Sequence, residues 1–259
     1  MNNRFDSYAQ ETIYYRLQTE SNIDVDEWDS NLTIFKYIQL RYFIDMLVQQ
    51  KLFVGQKSSF SDYFETNLSP KLVPCFYYAN KQAPKERVEI DSNEYDNLNK
   101  TFKSFAAIPA SCWTWQEREN YMMWSVYASQ YGVRIKTKLC KLLSSLNCRD
   151  FQIVCDKMRY KHHFPHNSSI EEMLFYKTDY YSDEREFRIY FNPISPQLRQ
   201  ELNKKQHLNI HIRNPVNMIE EVVFSPFITH TPILKNLLVT KFGFDIKTLK
   251  NSQIKIQTL

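Results

Sequence analysis

Residues 186–191, EFRIYF, carry the alternation that decides the fold. Phe187, Ile189 and Phe191 share one face of an extended segment while Glu186, Arg188 and Tyr190 share the other, the period-two pattern of a half-buried strand. Leu208, Ile210 and Ile212 repeat it opposite His207, Asn209, His211 and Arg213. Alternation of this kind belongs to antiparallel strands that lay one face on a core.

Outward from that strand, short helices and strands interleave. TIFKYI at 33–38 is β-rich, and Leu40, Phe43, Ile44, Leu47 and Val48 then recur at the spacing of an amphipathic helix. Residues 52–55 read as a second strand, and further strands are expected at 111–115, 133–137, 151–160 and 219–224. A helix is expected from about 118 to 130, closed by Gly132, and another over Leu139, Leu142, Leu143 and Leu146. Thr231 reads as an N-cap with Pro232 as the first helical residue, and Leu234, Leu237 and Leu238 face inward until Gly243 ends that helix. The class is therefore α+β: a single domain over 31–259 with a mixed, largely antiparallel sheet flanked by helices. Residues 1–30 form an acidic, helical N-terminal extension, and 79–103, with five bases among five acids, reads as an exposed polar insertion.

Composition prunes the functional classes. Gly55, Gly132 and Gly243 are the only glycines in 259 residues, about 1% against a usual 7% or so. No two can share a phosphate-cradling loop, which excludes a P-loop, a G-x-G-x-x-G turn and a kinase Gly-rich loop as standard motifs. If the chain holds a nucleotide, side chains must do it. Arg4, Asp6, Glu11 and Arg16 break up the first twenty residues, and no later run is long and apolar enough to span a bilayer, so no membrane partner is expected. The five cysteines, 75, 112, 140, 148 and 155, include no C-x-x-C pair and read as reduced, mostly buried thiols of a cytoplasmic protein.

Charge is unevenly spread. Residues 1–30 carry seven acids and two bases, and the remainder of the chain is net +9. Residues 134–161 concentrate the excess in Arg134, Lys136, Lys138, Lys141, Arg149, Lys157, Arg159 and Lys161, a stretch suited to nucleic acid or a polyphosphate, or simply to a solvated surface. His162, His163 and His166 sit near Cys155 with the ligand types of a zinc site, but Pro165 and the following NSS argue against helical ligand spacing.

Two clusters suggest chemistry. In DEREFR at 183–188, a strand starting by Glu184 projects Glu184, Glu186 and Arg188 from one face. Two carboxylates and a guanidinium are costly to desolvate, so that face is either an exposed edge with cross-strand ion pairs or the wall of a polar cleft. In the second case a catalytic glutamate stands beside an arginine that keeps it ionised. The other cluster is aromatic: Trp113, Trp115, Tyr121, Trp124 and Tyr127, with Tyr77 and Tyr78 upstream. Many of these rings are packing, yet an aromatic wall and a carboxylate strand are what a flat heteroaromatic substrate needs.

Several segments together carry a resemblance. FKYIQLRYFIDMLVQQKLFVGQKSSFSDYFE at 35–65, YMMWSVYASQYGVRI at 121–135, FYKTDYYSDEREFRIYF at 175–191 and IEEVVFSPFITHTPILKNLL at 219–238 resemble a bacterial domain-of-unknown-function family. Its marks are an f-x-D-x-f-E loop, here ending in Asp62 and Glu65, an m-W-x-x-Y-a helix with Trp124 and Tyr127, and an E-x-E-x-R strand with Glu184, Glu186 and Arg188. Ser61 stands where that family carries Asn, and Ser125-Val126 where it carries Ala-His.

The family in turn resembles ADP-ribosyltransferases. That resemblance implies a split sheet, NAD as substrate, Glu186 or else Glu184 as the catalytic acid with Arg188 beside it, and Lys36, Tyr37, Trp124, Tyr127, Asp62 and Glu65 on the NAD-binding side. Lys36 stands where the larger superfamily has Arg or His. It further implies a toxin-like or phage-defence enzyme whose macromolecular acceptor is a protein or a nucleic acid drawn by residues 134–161. Two other readings stay open: a metal-dependent nuclease using Asp62, Glu65, Glu184 and Glu186, and a non-catalytic module that binds nucleic acid or a partner through its aromatic and basic residues.

Overall fold

The computed structural model describes residues 31–56, 96–97, 100, 107–160, 174–205 and 207–255. The expected N-terminal extension, nearly all of the 79–103 insertion, Asp62, Glu65, Tyr77, Tyr78, Cys75 and the three clustered histidines lie outside those residues.

The chain is α+β with mixed, mostly antiparallel strand pairing. Its contacts gather into two compact units, one holding described residues 31–53, 112–149 and 209–255, the other 54–56, 107–111, 150–160 and most of 174–208.

In the first unit β1 (Thr33–Gln39) leads into helix α1 (Leu40–Gln49), and Gln50 in the left-handed region turns the chain into β2 (Lys51–Gln56). Phe43, Met46 and Leu47 are the buried stripe of α1, while Val48, expected on that face, is exposed. β3 (Pro109–Thr114) reaches the unit with its last residues, pairing Phe35 with Thr114. A short helix, α2, begins at Tyr121–Met123 and continues as a π-helical turn, Trp124–Ala128. It is shorter than expected, and Gly132 does not close it. Gly132 is the first residue of β4 (Gly132–Lys138), where a Cβ would run into the Ala128 carbonyl and side chain, so close approach selects the glycine.

β4 is the central strand of this unit. It pairs antiparallel with β1 from Thr33↔Lys138 to Gln39↔Gly132 and, on its other side, with β10 (Glu221–Phe224). Helix α3 (Leu139–Ser145) follows β4 and buries Leu139, Leu142 and Leu143.

The second unit is built on one hairpin-like pair. β5 (Phe151–Lys157) runs antiparallel to β8 (Glu186–Pro193) from Phe151↔Pro193 to Lys157↔Phe187. The expected single strand over 151–160 breaks at Met158 into β5 and β6 (Arg159–Tyr160), which pairs parallel with β7 (Tyr176–Lys177). β8 differs from expectation: both faces are buried, Phe187, Ile189 and Phe191 on one and Glu186, Arg188 and Tyr190 on the other. Helix α4 (Pro196–Lys204) follows, started by the Ser195 hydroxyl accepting the Leu198 N–H and by Pro196 in the first turn.

After β9 (His207–His211) and helix α5 (Pro215–Met218), the first unit closes with β10, helix α6 (Thr231–Leu237) with its π-helical extension Leu238–Phe242, and β11 (Leu249–Asn251) parallel to β10. His230, not Thr231, is the N-cap of α6, and Leu237 is exposed where an inward side chain was expected. Gly243 terminates the π-helical turn at φ 78°, the left-handed conformation a glycine takes without strain. No described helix is long and apolar enough to cross a membrane.

Candidate functional site

The buried polar face of β8 is the start of the site. Because Glu186 and Arg188 are two residues apart on one strand, their side chains stand side by side on one face. Arg188 Nε donates to Glu186 Oε1 at 2.7 Å and Arg188 Nη2 to Oε2 at 2.8 Å, a bidentate pair between side chains 1% and 4% exposed as residues. The third member of the face extends the chain of bonds: Arg188 Nη1 donates to Tyr190 Oη (3.2 Å), which itself donates to the Leu174 carbonyl (2.7 Å).

Lys177, on β7, adds a second buried cation. Its ammonium donates to Glu184 Oε2 at 2.7 Å and to Glu186 Oε2 at 3.4 Å, and lies 4.4 Å from the centre of the Tyr181 ring. Glu184 therefore reaches the cluster, but not from the strand. It ends a 3-10 segment, Asp179–Glu184, and Arg185 takes φ 42° between it and Glu186. Tyr160 Oη accepts the Glu186 N–H at 2.8 Å, and burial pushes the Tyr160 hydroxyl well above the usual tyrosine range, so it stays neutral. Opposite Arg188 in the register stands Asp156, also buried, whose Oδ1 accepts the Lys157 N–H (2.7 Å) and whose Oδ2 lies 3.4 Å from Arg159 Nη2.

A carboxylate this dry persists because cations and donors surround it; an unpaired one would be several kcal/mol too costly. The face is thus a closed ion network rather than an exposed edge.

The first unit holds the aromatic residues. Tyr37 and Trp124 meet edge to face at 4.9 Å between ring centres, in a cluster with Ala128 and Val223. Trp124 is fully buried, and its indole N–H donates to Glu119 Oε2 at 3.1 Å. Glu119 also accepts from the Ser252 hydroxyl and from the Gln253 N–H (2.8 Å), which ties the segment after β11 onto this cluster. Tyr37 Oη accepts the Asn120 N–H at 3.0 Å, and burial raises its hydroxyl above the usual range.

Arg134, across β1–β4 from Tyr37, stacks 3.8 Å from the Phe35 ring centre and donates through Nη2 to the carbonyls of Gln116 (2.7 Å) and Glu117 (2.6 Å). Burial lowers its pKa, and its Nε has no hydrogen-bond partner. Tyr127, by contrast, is 41% exposed. Lys36 projects from the other side of β1 from Tyr37; its ammonium donates to the Cys112 carbonyl at 2.8 Å and lies 5.4 Å from the Trp113 ring centre.

The structure thus brings Glu184, Glu186 and Arg188 together in the second unit, and Tyr37 with Trp124 in the first. The basic stretch does not form one face: Arg134 is core, Lys141 pairs with Glu220 at 2.6 Å, and Arg159 pairs with Asp156. Among the described residues no cysteine is in a disulfide, and only Cys148 is fully buried. No protein-family model matches the chain, and no curated protein matches it.

Sequence reasoning missed Lys177, Tyr160, Asp156 and Glu119. Of these only Asp156 had an available signal, an acid at a core-facing position of a strand.

Proposed function

We propose that the protein is an ADP-ribosyltransferase-like enzyme of bacterial toxin or phage-defence type, which cleaves NAD and passes ADP-ribose to a macromolecular acceptor. Glu186 is its catalytic carboxylate. The observation that carries this reading is the fixation of the Glu186 carboxylate, buried and gripped at both oxygens by Arg188 with Lys177 alongside.

Cleavage of the glycosidic bond sends its electron pair to nicotinamide, which leaves neutral, and builds positive charge on the ribose. A preorganised carboxylate in a low-dielectric site stabilises that charge without reorganising. An acceptor nucleophile then bonds to the anomeric carbon and gives up its proton to water. Of the residues that the resemblance gives to NAD binding, Tyr127 is 41% exposed, which suits it to stacking, whereas Tyr37 and Trp124 are buried.

The test is incubation of the purified protein with labelled NAD and a bacterial lysate, following nicotinamide release and label in protein or nucleic acid. Release that disappears in Glu186→Gln supports the reading. Release that persists in that variant, or no release from the wild type, overturns it.

A further inference from the structure

The first unit contains a cleft of about 440 Å³ between helix α6 and the segment leading into and out of β11. Pro232, Val239 and Ile246 give it an apolar floor, with Ile246 53% exposed. Thr231, Lys235 and Val239 recur every four residues along α6 and its π-helical extension, so they form one stripe facing the cleft. Asn236 lies on the adjacent row and Asn251 closes the far side at the end of β11.

The fold makes no use of these polar groups. Among the described residues, none hydrogen-bonds or ion-pairs with the side chains of Thr231, Lys235, Asn236 and Asn251. Among the described residues, one cation and no carboxylate line the cleft, beside two carboxamides and a hydroxyl. Its size lies within the roughly 300–1,000 Å³ of small-molecule pockets, and an apolar floor with a few convergent polar groups is the composition such pockets share. Val239 sits in a π-helical turn, an irregularity that recurs at functional sites.

We infer that this cleft binds a small amphipathic anion. Its apolar body lies against Pro232, Val239 and Ile246, its charged group sits on the Lys235 ammonium, and Asn236 and Asn251 supply hydrogen bonds at the rim. The site lies wholly within the first unit and is independent of the NAD reading.

The probes that test this are anilinonaphthalene sulfonate, an anion on a flat apolar body, and its uncharged parent phenylnaphthylamine, both followed by fluorescence on the full chain. Saturable single-site binding of the sulfonate is expected. Lys235→Met should weaken it about tenfold, the usual worth of a charge-assisted hydrogen bond. Lys235→Arg should keep it within about threefold, because the charge is retained. Ile246→Ser should weaken both probes, and phenylnaphthylamine should ignore Lys235→Met. Both positions are partly exposed, so unchanged melting temperatures are expected. Failure of the wild type to bind the sulfonate, or binding unaffected by Lys235→Met or by Ile246→Ser, would overturn the inference.

Discussion

Arg188 holds both carboxylate oxygens of Glu186, at 2.7 and 2.8 Å, from two positions further along the same buried strand. The pair is local in sequence, so its geometry is set by the strand itself once β8 pairs with β5. Further support for the pair comes from other elements: Lys177 from β7, Tyr160 from β6 and, through Tyr190, the Leu174 carbonyl.

Removing one member should hurt more than removing both. Arg188→Met leaves the Glu186 carboxylate buried without its bidentate partner, a loss of about 3–5 kcal/mol. Glu186→Met with Arg188→Met together removes the uncompensated charge and fills the space with apolar side chains. Urea unfolding of the single and double variants measures this, and a double variant less stable than Arg188→Met alone would refute it.

Much of this fold was legible because it is written in local periodicity. The EFRIYF strand, the TIFKYI strand and the helices after each of β1 and β4 follow from spacing alone. The position of Glu184 did not follow, because the left-handed turn at Arg185 starts the strand two residues later than alternation suggests. Nor did the burial of the polar face of β8. Lys177 lies on a strand of only two residues, too short for any pattern, and only the tertiary fold sets it against Glu186. Helix α4 was announced by Ser195-Pro196, a capping signal without an apolar stripe strong enough to raise it. Gly132 reads equally well as a helix terminator, and only the packing of Ala128 against it assigns it to β4.

Glu119 should behave as the clasp of the first unit. Its carboxylate takes donors from Trp124, Ser252 and Gln253. Glu119→Ala orphans the buried Trp124 indole N–H and leaves the more exposed Ser252 and Gln253 donors to water, so a loss of about 1–3 kcal/mol is expected. Truncation after Asn251 should cost less in the Glu119→Ala background than in the wild type, because the two changes remove the same contacts. Additive losses in that cycle would rule the clasp out.

Alkaline pH should unfold the protein by ionising buried groups. Burial pushes the Cys148 thiol up from 9.0 to about 12, and the Tyr37 and Tyr160 hydroxyls also rise. A folded-state pKa above the unfolded one means that the unfolded chain releases these protons first. The associated stability is complete below pH 9 and is lost as pH climbs toward 12, on the order of 4 kcal/mol for the thiol alone. Denaturation midpoints from pH 8 to 11 check the slope, and Cys148→Ala should flatten part of it.

Lys177 supplies the sharpest functional distinction between the two glutamates. Its ammonium is nearer Glu184, at 2.7 Å, than Glu186, at 3.4 Å. Glu184→Gln therefore frees Lys177 to settle on Glu186 and weaken its field at the ribose, which should lower NAD turnover about tenfold, whereas Glu186→Gln removes the stabilising charge and should cost about a thousandfold. A divalent ion bound by these carboxylates would have to displace that ammonium, so turnover should be unchanged by EDTA and by added magnesium. Equal losses in the two glutamine variants, or turnover abolished by EDTA, would remove Glu186 from the catalytic role and return the cluster to the metal-dependent alternative.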